Sequence, residues 1–257
     1  MKTATRAIDV VHHLQGHPGA GLGQIAAVLR VHKSSASRLL RTLERHGWVA
    51  RDPSGFAYHI GPALIAVGRA AVDQFLRSER VLPMMERLRD LSGETVHLAV
   101  FDQGEMLHVL RADSHDMIRV TCPAGTRDAL HCTALGKAFL ASLPDEQRRA
   151  IVAGLKLERR TPNTITGRKA LLADLEATRA RGFAIDREEG RVGVRCIGLA
   201  LVEARGKSIG ALSITGPAFR WTQREMDRGI DEILAAADRG MTQAGYCGIA
   251  RAARART

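Results

Sequence analysis

The chain has 257 residues, 45% hydrophobic and 25% charged, so it has room for one large or two modest domains and the composition of a soluble globular protein. No apolar run approaches the roughly 20 residues of a membrane helix, and Lys2, Arg6 and Asp9 leave no apolar signal-peptide core, so a cytoplasmic protein without membrane attachment is expected. The net charge of +11 is uneven: residues 1–60 carry eight Lys/Arg against three Asp/Glu, whereas residues 81–250 carry 24 against 22, which directs any polyanionic partner to the N-terminal part.

Along the chain, residues 5–14 place Ala7, Val11 and Leu14 on one helix face. Leu22, Ile25, Ala26 and Leu29 form a second short apolar stripe. Arg30-Val31-His32-Lys33 connects it to a third helix, with Ser34 as the expected N-cap. In that third helix Ala36, Leu39, Leu40 and Leu43 share a face, and Ser34, Ser37, Arg38, Arg41 and Arg45 fall opposite. One side can bury itself, and the other offers guanidinium and hydroxyl groups that reach phosphates and guanine edges. Apolar and aromatic residues at 48–51 and 56–59 flank Asp52-Pro53-Ser54-Gly55 and read as a hairpin. The order of helix, helix, tight turn, basic helix and hairpin is that of a winged helix-turn-helix. Lys33, Ser34, Ser35, Ser37, Arg38, Arg41 and Arg45 are the candidate groove contacts, with Arg51 and Ser54 on the wing. A merely solvated basic helix is the plainer alternative, and the order of elements argues against it.

Gly61-Pro62 opens a further helix whose apolar stripe runs through Leu64, Val67, Ala71 and Phe75 to about Arg77. Such a stripe suits a connecting helix that also meets a second copy of the chain. Ser78 is the expected cap of the next helix, which ends near Gly93. Strands are expected over 95–101 and 105–111 around Asp102-Gln103-Gly104, and a third over 117–121. Helices follow at 134–142, capped by Thr133, after Pro144, and at 168–181, where Gly182 stops the last of them. Two more strands, 196–203 and 208–215, flank Arg205-Gly206, and a final helix spans 222–244. Strands and helices mixed without strict βαβ alternation point to an α+β domain with an antiparallel sheet flanked by helices. The expected division is 1–61, a linker helix over 62–78, a second domain over 79–248 and a basic disordered tail over 249–257.

The four cysteines, Cys122, Cys132, Cys196 and Cys247, include no C-x-x-C pair, and free thiols are expected. A zinc site would have to gather His97, His131, Cys132 and Cys196 without any local ligand spacing, so neither metal nor cofactor is expected.

Several segments resemble the IclR family of bacterial transcriptional regulators. They are residues 34–47 and 58–62 in the first domain, and Glu94 to Ala99, His131 to Ala138, Arg181 to Glu189, Gly193 to Ile197 and Leu212 to Pro217 in the second. The resemblance spans nearly the whole chain. It implies a winged-helix domain, a linker helix and a C-terminal effector domain of GAF-like fold. It also implies a homodimer or dimer of dimers on double-stranded operator DNA, with transcription switched by a small metabolite. One departure stands out. After Pro123 to Arg127 the family usually has an apolar residue and a proline before the histidine, whereas this chain has Asp128-Ala129-Leu130-His131.

Alternation places Ala211, Ser213 and Thr215 on one strand face, and Val194, Cys196, Gly198 and Ala200 on another. Three of the latter four are small, which leaves volume unfilled. His97 shares a face with Thr95 and Ala99. The resemblance implies that Ala134, Leu135, Asp186, Cys196, Ser213 and Thr215 line the effector site, with His97 as a further candidate. Helix-end amides near Ala134 favour a carboxylate, so a small organic acid is the expected effector. Plainer roles exist for each: backbone hydrogen bonds for the hydroxyls, core packing for Cys196 and His97, and an ion pair to Arg187 or Arg191 for Asp186. An enzyme using Cys196, His97 and Asp186 and a ligand-free nucleoid or RNA-binding protein are the rival functions. The favoured reading is a DNA-binding repressor without catalytic residues.

Overall fold

The structure, a computed structural model, describes residues 2–76, 78–203 and 205–247. The side chains of Phe75 and Ser78 and the tail at 249–257 lie outside what it describes. The chain divides into two compact units, Met1–Leu76 and Arg77–Thr257.

The first unit runs α1 (Lys2–Gly16), β1 (Ala20–Gly21), α2 (Leu22–Val28), α3 (Lys33–Arg45), β2 (Val49–Arg51), β3 (Ala57–Ile60) and α4 (Ala63–Leu76). Val10 and Leu14 of α1, Ile25 and Leu29, Leu40 and Leu43 of α3, Val49 and Tyr58 close one small core. The apolar spacing of α2 and α3 thus becomes a wall of that core, whereas α1 turns Val10 inward with Leu14 rather than the expected Val11. β3 is the centre of a three-stranded antiparallel sheet with β1 and β2. The cap of α3 differs from expectation: His32 is the N-cap, its Nδ1 accepting from the Ser34 amide and lying 3.0 Å from Ser34 Oγ. Ser34 is already inside the helix, because a ring nitrogen at position 32 reaches the free amide first. Asp52 fixes the wing turn by accepting from the Phe56 and Ala57 amides at 3.0 and 3.1 Å. Gly61 allows the wing to close: a Cβ there would overlap the backbone of Gly47 and Trp48.

The second unit runs α5 (Ser78–Ser92), β4 (Thr95–Asp102), β5 (Glu105–Ala112), β6 (Arg127–Asp128), α6 (Ala134–Ser142), α7 (Asp145–Gly154), α8 (Arg168–Arg181), β7 (Ala184–Arg187), β8 (Val194–Glu203), β9 (Ser208–Pro217), α9 (Gln223–Ala244) and β10 (Tyr246–Cys247). The strands form one antiparallel sheet in the order β10-β8-β9-β4-β5-β6, with β7 also paired to β8. α6 packs on the face carrying Ala99, Ala200 and Ala211, and Leu135, Ala138 and Phe139 fill the space above these small residues. Thr133 caps α6 by accepting from the Gly136 amide at 3.1 Å, and α8 ends on left-handed Gly182. The class is therefore α+β: a helix-turn-helix unit followed by an antiparallel sheet with helices.

The strand expected over 117–121 is absent. Met117 and Ile118 are exposed, and the edge of β5 is taken by β6, through Met106↔Asp128 and Leu107↔Arg127. The segment is tied down by side chains instead: the Cys122 amide donates to His97 Nε2 at 3.1 Å, and Arg111 donates to the Cys122 carbonyl. β7, unexpected from the sequence, supplies Asp186.

Candidate functional site

In the first unit, α3 exposes Lys33, Ser34, Arg38, Arg41 and Arg45, while Ala36, Leu40 and Leu43 are buried and Ser35 and Ser37 are half-buried. The helix therefore holds a basic face outward on a fixed core. Thr3 and Arg6 of α1 line one groove with Ser35, Arg38 and Thr42, a pairing that helix periodicity alone does not reveal. Arg51 is tied at the base of the wing, 3.4 Å from Glu44 and over the Tyr58 ring at 5.0 Å. Ser54 is exposed at the tip, where its hydroxyl donates to Asp52.

In the second unit, strand register builds the site. Asp186 pairs with Cys196, Cys196 with Thr215, and Thr215 with Thr95, making one row across four strands. Gly198, Ser213 and His97 make the next row. His97, Ala134, Leu135, Asp186, Cys196, Ser213 and Thr215 all line a single cavity of about 100 Å³. Sequence reasoning missed several neighbours in the lining, notably His108, Cys122, Asp128, Arg160 and Arg191. The signal for His108 was its place on the buried face of an alternating strand. The signal for Asp128 was the departure from the family pattern at that position.

The volume expected at Gly198 is not empty. A Cβ on residue 198 would overlap the Ala134 carbonyl, so its smallness seats the start of α6 on the sheet. α6 is held from the other side by Lys137, which is fully buried and pairs with Glu189 at 2.6 Å and Asp174 at 3.0 Å. Glu189 in turn donates its amide to Asp186 Oδ1 at 2.7 Å. One wall of the cavity is thus held by a buried charge network.

Ser213 and Thr215 satisfy each other, oxygen to oxygen at 2.7 Å. Burial pushes the Asp186 carboxyl up to about 7, against the Glu189 amide, which favours its charge. No ion pair joins Asp186 to Arg187 or Arg191 among the described residues. Burial, with His108 beside it, lowers His97 to about 3, so its ring is neutral. Burial raises the Cys196 thiol far above its usual value and Cys132 to about 11. Cys196, His97 and Asp186 do share the cavity, but a protonated thiol beside so weak a base makes no nucleophile. The gathering of His97, His131, Cys132 and Cys196 does not occur as a ligand set: His131 Nε2 bonds the Glu158 carbonyl at 3.0 Å, and the ligand-type atoms that do come together with His97 are those of His108 and Cys122. No helix among the described residues is long and apolar enough to cross a membrane.

The N-terminal and C-terminal parts of the chain match two separate models of one family. Residues 3–53 match the IclR helix-turn-helix domain, and residues 70–240 match the C-terminal domain of bacterial IclR regulators. The chain is 32% identical over 237 residues to the HTH-type transcriptional regulator BhcR of Paracoccus denitrificans, covering 92% of this chain and 85% of that protein. It is 33% identical over 223 residues to the HTH-type transcriptional repressor AllR of Escherichia coli K12, covering 85% and 81%. Its fold matches that of an IclR homolog from Microbacterium hydrocarbonoxydans complexed with 4-hydroxybenzoate, with a TM-score of 0.80, 21% identity, and coverage of 93% and 99%. A basic helix-turn-helix face, an antiparallel effector-type domain and these matches place the chain in the IclR family: it is a DNA-binding transcription regulator, not an enzyme.

Proposed function

We propose that the chain is a cytoplasmic repressor that binds a pseudo-palindromic operator, and that a small carboxylic acid in the second-unit cavity changes its operator affinity. The observation that carries this reading is the cavity itself. Seven residues from four strands and the start of α6 converge on it, with Arg160 and Arg191 in its lining. The amides of Ala134 and Leu135 open α6, where donors and the helix dipole favour an anion. A protonated Asp186 would donate to a carboxylate oxygen. An engineered apolar cavity of about 150 Å³ accepts benzene. By that scale about 100 Å³ suits an acid of about four to six heavy atoms. The 4-hydroxybenzoate of the Microbacterium neighbour is larger, so it serves as a size control.

On the DNA side, Arg38 and Arg41 are the proposed base-reading or phosphate-reading residues, with Lys33, Ser34, Ser35, Ser37, Arg45, Arg51 and Ser54 as supporting contacts. One recognition helix covers only a few base pairs, so a two-fold pair of chains is needed for specificity. α4 is the proposed linker helix and part of the dimer contact, since Val67 and Ala71 are exposed and Leu64 is only half-buried. Repression follows the similarity to AllR.

The test is a thermal-shift panel of two- and three-carbon monocarboxylic and 2-oxo acids and oxalate, followed by fluorescence anisotropy on the DNA upstream of the gene. One or more small acids should raise the melting temperature and change operator affinity, while 4-hydroxybenzoate does neither. A panel in which no acid changes either property would overturn the effector reading.

A further inference from the structure

The cavity holds a cluster of ligand-type side chains that shares His97 with the proposed acid site and adds His108 and Cys122. One ring nitrogen each of His97 and His108 and the Cys122 sulfur lie within 4.8 Å of one another. Both histidines are buried and Cys122 is half-buried. The two rings meet edge to face with centroids 5.3 Å apart. His108 Nε2 lies 2.8 Å from Asp128 Oδ2. A carboxylate only accepts, so Nε2 carries the proton, and in the neutral ring Nδ1 is left with a lone pair. That Nδ1 is buried and has no hydrogen-bond partner. A buried acceptor without a partner calls for an explanation. A histidine whose outer nitrogen is fixed by a carboxylate while the other stays free is the usual arrangement behind a metal ligand.

We infer that His97, His108 and Cys122 form a site for a divalent transition metal of the zinc type, with Asp128 orienting His108. Two imidazoles and a thiolate suit zinc or cobalt(II) better than magnesium or calcium, which prefer oxygen ligands. Zinc bonds of about 2.0–2.3 Å set tetrahedral ligand atoms about 3.3–3.8 Å apart, so the longest separation must close by about 1 Å. Two changes accompany ligation. The Cys122 thiol gives up its proton to solvent. His97 gives up the hydrogen bond its Nε2 accepts from the Cys122 amide, because ligation through either nitrogen removes that lone pair from the amide. Three protein ligands leave a fourth position open to the cavity.

Cobalt(II) is the probe. Untagged full-length protein is treated with chelator, dialysed and titrated with cobalt chloride. One cobalt per chain should bind, with a thiolate-to-cobalt charge-transfer band in the near ultraviolet. Cys122→Ser should abolish that band, and Cys132→Ser should retain it. Asp128→Asn should weaken cobalt binding by about 10- to 100-fold, the usual effect of losing an outer-shell partner. Far-UV circular dichroism and the melting temperature of each metal-free variant separate loss of the site from loss of the fold. His108→Gln provides a second ligand variant if Cys122→Ser melts early. Absence of the band in the wild-type protein, or its persistence in Cys122→Ser, would overturn the assignment. So would an unchanged cobalt affinity in both His108→Gln and Asp128→Asn.

Discussion

Gly198 lies directly beneath the carbonyl of Ala134. A Cβ on residue 198 would overlap that oxygen and meet the Ala134 Cβ at 3.1 Å. The start of α6, and with it one wall of the cavity, therefore depends on the smallest side chain in β8. Gly198→Ala should destabilise the protein by about 1–3 kcal/mol, the range for overpacking a tight interior. A urea melt measures the loss, and a wild-type midpoint would show that α6 does not rest on this position.

Lys137 is the buried cation that ties α6 to Glu189 and Asp174. Removing one member of such a network leaves charge without compensation. Lys137→Met should cost about 3–5 kcal/mol, and adding Glu189→Gln should recover part of it. Thermal denaturation of the two variants checks both the loss and the recovery.

Asp186 gives a pH signature. Its carboxyl is raised from 3.8 to about 7, first by burial. Between those values the folded chain holds a proton that the unfolded chain has released. The contribution to stability is therefore complete below 3.8 and is lost as pH rises through about 7. It falls by about 1.4 kcal/mol per pH unit in that window. Asp186→Asn keeps an oxygen for the Glu189 amide but cannot titrate. Relative to wild type, it should gain stability as pH rises from 4 to 8. Parallel stability curves for the two proteins would refute the shift. Binding of an acid should also weaken above pH 7 in wild type, where an ionised Asp186 repels it.

Arg38 and Arg41 stand exposed on the face of α3 opposite its buried residues. Arg38→Ala should weaken operator binding by about 1–3 kcal/mol if it reads a base edge. A phosphate contact would instead lower affinity for all sequences alike and reduce the salt dependence. A mobility shift unchanged in both Arg38→Ala and Arg41→Ala would remove α3 from the groove.

Elements with strong local signals were legible in the sequence. α8 starts and stops where expected, at Arg168 and at left-handed Gly182, and the Thr133 cap of α6 is local chemistry that one hydroxyl decides. The segment at 117–121 misled because apolar alternation says nothing about whether a sheet edge is free, and β6 had taken the edge of β5. β7 is four residues long, too short for a period to declare itself. His32 displaced Ser34 as the cap because a histidine nitrogen can do what a hydroxyl does. In the cavity, the contributors from β4, β8 and β9 were visible as a shared face. Arg160 was not, since only the fold brings so distant a segment to the cavity, and the alternation at His108 and the unusual residue at Asp128 did not by themselves say that they meet there.

The central claim is that the cavity face carrying Ser213 and Thr215 receives a small acid that acts on DNA binding. Their hydroxyls bond each other at 2.7 Å, so Ser213→Ala with Thr215→Val removes both partners of that bond together. The decisive measurement is the operator Kd of wild type and of this double variant, with and without a saturating acid chosen from the thermal-shift panel. Wild type should change its operator affinity by about 5- to 150-fold, a coupling of about 1–3 kcal/mol. The variant should keep the acid-free Kd and lose the change. A variant that responds as wild type does would place the effector elsewhere, and one that no longer binds operator without acid would show these hydroxyls to be structural.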